Sequence, residues 1–184
     1  DFILFILHIF ATLSENKAML SLIPTEKIIE RLRYENPWWI TKEIPKIYSS
    51  MSRRLYFDLF YPFVLERSIK RALVLMGPRR VGKTVMLFHC IENLLKEGTN
   101  SHKLFFIGID NPIYVNLSLE DILTLCKESL NLENLNGCYI FFDEIQYLKD
   151  WERHLKALVD SYPETKFIVS GSAASALKWH STES

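Results

Sequence analysis

The sequence lacks the cysteine and histidine patterns that mark disulfide frameworks and zinc sites. Its three cysteines, Cys90, Cys126 and Cys138, lie far apart and form no CxxC pair. Its five histidines show no HExxH or similar ligand spacing. An odd and scattered set of cysteines argues against a disulfide framework and fits a reducing, cytoplasmic setting. We therefore expect neither a structural nor a catalytic zinc ion.

An excess of charge of either sign is also missing, because Lys+Arg and Asp+Glu are both 22 in 184 residues. A formal net charge of +0 gives no indication of nucleic-acid binding, although a local basic patch would be compatible with it. The chain has no internal repeat or low-complexity tract, and 48% of it is hydrophobic. This length and composition suit one domain, or one domain with an extension.

The apolar run DFILFILHIFATL at residues 1–13 is too short to cross a bilayer, which needs roughly 20 residues. Three interpretations of it stay open. It is the apolar centre of a signal peptide without the usual basic start, a core strand or helix, or sequence that precedes a true start at Met19. The sequence therefore predicts no firm membrane segment.

Residues 1–53 predict an N-terminal extension. TEKIIERLRYE has helical spacing, with Thr25 as its cap and Pro37 ending it. NPWWITKEIPKIYSS then predicts an extended connector, because two prolines bar a long helix. We interpret Trp38 and Trp39 in this connector as packing groups.

Residues 54–184 predict a single core. After a short helix in YPFVLERSIKR, the apolar runs RALVLMG, KLFFIGID, CYIFFDE and KFIVSGS predict buried strands. The stretches between them predict helices, one of which ends at Gly98 while another is capped by Ser118 and Asp121. This alternation predicts an α/β fold with a parallel sheet flanked by helices.

The segment GPRRVGKT fits the phosphate-binding loop G-x-x-x-x-G-K-[ST], or Walker A motif, at every fixed position, and lies between a predicted strand and helix. Glycines let backbone N–H groups approach phosphates, and a helix N-terminus adds a positive dipole end. Lys83 is expected at the β- and γ-phosphates, and Thr84 at Mg²⁺. The nucleotide-binding residues predicted here are Gly77, Pro78, Arg79, Arg80, Val81, Gly82, Lys83, Thr84 and Val85.

Arg79 and Arg80 within this loop have two interpretations. They form a nucleic-acid patch, or they fill variable loop positions and contact carboxylates or solvent. The second is favoured, because no interleaved aromatic and basic residues surround them.

Two acidic residues follow the apolar run YIFF. A buried strand that ends in Asp143 and Glu144 places both carboxylates at the C-terminal edge of the sheet, where α/β folds bind ligands. Asp143 fits a Mg²⁺-organising role (Walker B), and Glu144 fits the role of orienting and polarising an attacking water. Such a water-activating group indicates hydrolysis rather than phosphoryl transfer to another acceptor.

The run KFIVSGS ends in hydroxyl groups that could contact the γ-phosphate or the attacking water. Ser170 and Ser172 lie on the same side of an extended strand. The sequence does not decide which of them would act as the sensor.

Three segments, GPRRVGKT, FFDEIQYLKDWERHLKAL and KFIVSGSA, together resemble the AAA-type P-loop ATPases of bacteria and archaea. The similarity covers roughly residues 54–175 and is greatest to a branch in which a C-terminal domain of unknown function usually follows the ATPase core. The resemblance implies ATP as the nucleotide, with the catalytic roles at Lys83 and Glu144, and a strand order that inserts the Ser170 strand between the phosphate-loop and Asp143 strands. It assigns Gln146 no chemistry, and we interpret Trp151 as a packing group.

The sequence departs from that family pattern after Ser172. A fifth strand, an arginine finger and a helical lid are expected there and are not seen, so we expect a fragment of a longer protein. Arg67 and Arg153 do not occupy the position of a finger, which a neighbouring subunit of an oligomer could supply. The alternatives to an ATPase are a slow nucleotide-dependent switch, a small-molecule or nucleotide kinase, and a nucleic-acid-linked ATPase.

Overall fold

A computed structural model describes residues 23–172, in which four strands form one parallel sheet. The strands are β1 (Leu73–Gly77), β2 (Leu104–Gly108), β3 (Tyr139–Asp143) and β4 (Lys166–Ser172). Their spatial order is β1-β4-β3-β2, and each neighbouring pair is parallel. This confirms the predicted α/β fold and the insertion of the Ser170 strand beside the phosphate-loop strand.

Helices precede, connect and flank these strands. Within residues 23–172, none combines the length and hydropathy that a bilayer crossing requires. The apolar run at residues 1–13 and the predicted start at Met19 lie outside the described residues. The helices are α1 (Thr25–Glu35), α2 (Trp38–Thr41), α3 (Lys46–Ser49), α4 (Phe57–Leu65), α5 (Lys83–Lys96), α6 (Leu119–Ser129) and α7 (Trp151–Ser161), with 3-10 turns at Ser101–Lys103, Pro112–Tyr114 and Ile145–Tyr147.

The ends of α5 and α6 follow from their sequences. Gly98 has a φ of 87°, and the N–H groups of Gly98 and Thr99 donate to carbonyls of the last turn of α5. This is the bond pattern of a Schellman motif, which requires a left-handed residue at that position. At α6, Ser118 and Asp121 form the predicted capping box. Both helix-end predictions are therefore confirmed.

Three predictions about residues 25–65 are wrong in detail. Thr25 does not cap α1, because Pro24 holds the cap position and its carbonyl accepts the N–H groups of Lys27 and Ile28. The connector is not fully extended, since α2 and α3 each complete one helical turn directly after a proline, a residue whose fixed φ suits the first turn. The prolines still prevent a longer helix. The helix predicted in YPFVLERSIKR begins earlier, at Phe57.

Side chains of residues 36–39 close the free edge of β2. The amide of Asn36 donates to the carbonyl of Phe106 at 2.9 Å and accepts the Phe106 N–H at 2.6 Å, as a neighbouring strand would. The indole N–H groups of Trp38 and Trp39 both donate to the carbonyl of Leu104, at 3.0 and 2.9 Å. Both indoles are buried, which confirms their packing role. An unpaired strand edge is thereby covered from within the chain.

Candidate nucleotide-binding site

The predicted phosphate loop connects the end of β1 to the start of α5. Gly82 has a φ of 89°, and Arg80 also lies in the left-handed region with a φ of 65°. These residues turn the backbone so that α5 begins at Lys83, directly inside the motif. The unpaired N–H groups of the first helical turn therefore face the loop, as an anion site requires.

Lys83 extends back over the loop rather than out to solvent. Its side chain is only 7% exposed, and its ammonium donates to the carbonyls of Pro78 at 2.8 Å and Gly77 at 3.2 Å. A buried cation needs such partners to offset the loss of hydration. The carbonyls of Gly77 and Pro78 thus hold the charge of Lys83 against the loop backbone.

Thr84 and Asp143 are 59 positions apart in the sequence but in contact in the structure. The hydroxyl of Thr84 donates to Oδ2 of Asp143 at 2.6 Å, and the hydroxyl of Ser170 donates to Oδ1 of the same carboxylate. Burial of Asp143 raises the pKa of its carboxyl, the two hydroxyl donors oppose this, and the Glu144 charge adds to it. A buried carboxylate beside a hydroxyl is an oxygen donor set that suits a hard divalent cation such as Mg²⁺.

Ser170 and Ser172 differ although both are fully buried at the end of β4. Ser170 is bonded to Asp143, whereas the hydroxyl of Ser172 has no hydrogen-bond partner among the described residues. The backbone N–H of Ser172 donates to Oε1 of Gln146 at 2.9 Å. Which of the two serines acts as a sensor stays a prediction.

Glu144 follows β3 with a φ of 54° and a ψ of 43°, a left-handed conformation that is uncommon for a glutamate. It is half-buried, and its carboxylate accepts a hydrogen bond from the side-chain amide of Gln146. Glu144 also lines a cavity of about 820 Å³ with Thr84 and Asp143. Arg31 and Arg33 of α1 line the same cavity. The cavity therefore leaves room for water beside Thr84, Asp143 and Glu144, the residues predicted to bind Mg²⁺ or activate water.

The sequence did not predict a second cavity, of about 620 Å³, on the other side of the loop. Pro78, Gly82 and Lys83 line it together with apolar side chains of α4 and β1. Leu55, Leu59 and Phe63 recur every four residues on an exposed face, 86%, 69% and 52% exposed, while the opposite face of α4 is buried. A helix with apolar residues on both faces is the sequence pattern that could have predicted this exposed apolar surface.

Arg54 lies directly against the loop, which the motif did not indicate. A Cβ placed on Gly82 would lie 2.1 Å from Nε of Arg54, so the guanidinium occupies the space that any larger residue would need. Arg67, by contrast, lies at the opposite end of the sheet. Its guanidinium stacks on Tyr139 at the start of β3 and donates to the carbonyl of Gly137 at 3.0 Å.

Comparison with known proteins gives one family match. Residues 69–184 match the model of a family described as AAA domain. An uncharacterized protein of Haemophilus influenzae is 28% identical over 128 residues, which cover 69% of this chain and 31% of that protein. An uncharacterized protein of Methanocaldococcus jannaschii is 32% identical over 88 residues, which cover 48% and 18%. The chain therefore spans less than a third of the length of either relative.

Solved structures show a distant likeness. A DNA replication initiation factor is 17% identical with a TM-score of 0.43, covering 70% of this chain and 42% of that one. PCH-2 of C. elegans is 13% identical with a TM-score of 0.40, covering 75% and 41%.

Proposed function

Because the chain belongs to the AAA domain family, we propose that it binds ATP with Mg²⁺ and, in the full-length protein, hydrolyses the bond between the β- and γ-phosphates. The observation that carries the proposal is the contact between Thr84 and Asp143 at 2.6 Å. It joins the phosphate loop to the carboxylate end of the sheet, so that one ligand can bind both.

Each polar group has a separate task in this proposal. Lys83 and the N–H groups at the start of α5 bind the phosphate oxygens and balance their charge. Thr84 and Asp143 would hold Mg²⁺, which when bound neutralises charge on the β- and γ-phosphates. Glu144, beside the larger cavity, orients the attacking water and accepts its proton.

The apolar cavity on the α4 side is the proposed site of the nucleotide base. Its apolar lining suits the faces of a purine ring, and Arg54 at its edge lies next to the loop. Adenine is the base proposed here because the chain belongs to the AAA domain family. With its base in this cavity and its phosphates at Lys83, a nucleotide would lie along the side of the loop that Pro78 and Gly82 line.

One observation favours a slow, switch-like ATPase as the second candidate. Every charged group of the carboxylate end is already hydrogen-bonded within the chain, including Glu144 through Gln146. Hydrolysis requires Asp143 to exchange its hydroxyl donors for the metal, and Glu144 to bind water through the carboxylate oxygen that Gln146 does not hold. A protein that binds ATP tightly and turns it over slowly would result if the exchange is unfavourable.

Binding is tested by ATP-dependent thermal stabilisation of two matched variants. Lys83 and Lys166 are both buried lysines, 7% and 6% exposed, but Lys166 lies at the opposite end of the sheet, at the start of β4. We expect Lys83→Ala to abolish the stabilisation by ATP and Lys166→Ala to retain it. A stabilisation that survives in Lys83→Ala would show that the phosphate site is wrongly assigned.

Hydrolysis is tested by steady-state rates of the full-length protein. We expect Glu144→Gln to leave ATP binding largely intact and to lower the rate at least about tenfold, because the amide cannot accept the proton of water. An unchanged rate would contradict the role of Glu144. Measurement with and without added DNA separates a nucleic-acid-linked ATPase from an independent one.

A further inference from the structure

Gln146 connects two parts of the site that are distant in sequence. It lies in the 3-10 turn after β3 and is only 3% exposed. One end of its amide donates to Oε2 of Glu144, and the other end accepts the backbone N–H of Ser172 at 2.9 Å. The side chain therefore bridges Glu144 and the end of β4.

The orientation of this amide is fixed by its surroundings. The backbone N–H of Ser172 is a donor only, so the oxygen of the Gln146 amide must face it. The NH₂ group must then face Glu144, whose ionised carboxylate is an acceptor only. A flipped amide would place its oxygen against the carboxylate and its NH₂ against the Ser172 N–H, and both hydrogen bonds would be lost. The NH₂ group therefore faces Glu144.

The side chain of Gln146 lies close against the end of β4. A Cβ on Gly171 would lie 2.8 Å from Oε1 of Gln146 and 2.9 Å from Sδ of Met76. The bare backbone of Gly171 thus lets β4 approach the amide closely. Glu144 itself, with a φ of 54°, depends on such neighbours to hold an unfavourable backbone conformation.

We propose that Gln146 is a positioning residue for hydrolysis, which ties the carboxylate of Glu144 to the end of β4 and so sets where Glu144 meets the attacking water. This role rests on the proposed function, since it assigns Gln146 an effect that acts only through Glu144. The neighbouring bond from Ser170 to Asp143 attaches the same strand to the metal-binding carboxylate. A movement of the end of β4 therefore reaches both acidic residues.

The test compares two replacements of Gln146 in the full-length protein. Gln146→Met has similar volume and loses both hydrogen bonds. Gln146→Glu keeps the shape and the acceptor for the Ser172 N–H, but places a second carboxyl beside Glu144, and the proton that the two carboxyls share makes Glu144 a poorer base for water. We expect both variants to lower kcat about tenfold while KM for ATP stays within about twofold, because positioning of the water is lost and ATP binding is not.

A double-variant measurement separates positioning from a structural effect. In the Glu144→Gln background, we expect Gln146→Met to cause no further loss in single-turnover hydrolysis, since the group through which it acts has been removed. Losses that multiply, or a wild-type kcat in either single variant, would overturn the role of Gln146. If Gln146→Met fails to fold, the isosteric Gln146→Glu decides alone.

The outcomes also separate this inference from the function on which it rests. Wild-type protein that does not hydrolyse ATP, or whose rate is unchanged in Glu144→Gln, contradicts the proposed function and this inference together. A rate that depends on Glu144 but not on Gln146 contradicts only the inference.

Discussion

The candidate site has two halves, and they differ in what supplies their polar groups. The loop half is the contiguous segment Gly77–Thr84, in which backbone groups and the ammonium of Lys83 supply most of the polar groups. The carboxylate half consists of side chains from the ends of β3 and β4, namely Asp143, Glu144, Gln146, Ser170 and Ser172. Apart from the hydroxyl of Ser172, which has no partner among the described residues, these groups bond mainly to one another and to Thr84, with Ser172 contributing its backbone N–H.

The loop half and the carboxylate half also differ in their exposure and in how many of their polar groups are already hydrogen-bonded without a ligand. The loop half is largely exposed at Pro78, Arg79, Arg80 and Val81, and its helix N-terminus has N–H groups to offer. The carboxylate half is buried except for the half-buried Glu144, and both oxygens of Asp143 and one oxygen of Glu144 already accept hydrogen bonds from within the chain. A nucleotide can therefore bind the N–H groups of the loop by addition, whereas Asp143 must exchange existing hydrogen bonds for new ones. Binding and hydrolysis should accordingly respond to different substitutions.

The largest expected effect is on the loop half, in a comparison of Gly82→Ala with Gly98→Ala. Both glycines have nearly the same backbone conformation, with φ of 89° and 87°. Only at Gly82 would the new Cβ displace the guanidinium of Arg54, while at Gly98 nothing lies within 4 Å. We expect each variant to lose about 1–2 kcal/mol of unfolding free energy, because a Cβ disfavours the left-handed conformation. Only Gly82→Ala should also lose ATP affinity, by at least about tenfold.

Isothermal titration with ATP and thermal unfolding of both variants check this expectation. Arg54→Ala reports how much of the loss comes from moving the guanidinium rather than from crowding the phosphates. Equal ATP affinity in the two glycine variants would contradict a special role for the loop backbone at Gly82.

The next effect concerns the carboxylate half and depends on pH. Because burial raises the pKa of Asp143 in the folded state, the folded chain holds its proton more tightly than the unfolded chain does. Stability without ligand should therefore fall as pH rises from about 4 through the folded pKa. We expect Asp143→Asn to be more stable than wild type at neutral pH, with a margin that shrinks as pH falls toward 4.

Asp121 provides a control because its pKa is shifted in the opposite direction to that of Asp143. Its hydrogen bonds from Ser118 hold the pKa of the Asp121 carboxyl below its usual range. Its contribution to stability is thus present above the unfolded pKa and is lost as pH falls through the folded value. Asp121→Asn should be less stable than wild type at neutral pH, as measured by urea unfolding across pH. A stabilising effect at Asp121, or a destabilising one at Asp143, would show that burial does not dominate at Asp143.

Sequence reasoning predicted the two halves with unequal success, for a physical reason. The loop half is eight consecutive residues, so spacing alone identifies it. The strands were predicted from apolar runs, but the strand order came from family resemblance, because no local pattern encodes which parallel strands become neighbours. Contacts such as Asn36 with Phe106, 70 positions apart, or Gln146 with Ser172, 26 apart, depend on that order. The same limit hid Arg54, whose distance from Gly82 is set by how α4 packs.

The smallest expected effect distinguishes the two serines of β4, which are equally buried but differently bonded. Ser170→Ala removes a hydrogen bond to the Asp143 carboxylate and should cost roughly 1–2 kcal/mol of unfolding free energy. Ser172→Ala removes a hydroxyl without a partner among the described residues, so stability should change by less than about 0.5 kcal/mol.

A buried hydroxyl without a partner in the described part of the chain is unusual, and contact with a ligand would account for it. If Ser172 is the sensor, Ser172→Ala should lower ATP turnover in the full-length protein while urea unfolding of the ligand-free protein stays unchanged. If Ser170 is the sensor, turnover and stability should fall together in Ser170→Ala, and Ser172→Ala should keep the wild-type rate. Of the two serines, Ser172 is the one whose hydroxyl has no partner within residues 23–172, so we expect the first result, with the carboxylate half retaining one group for the γ-phosphate or its water.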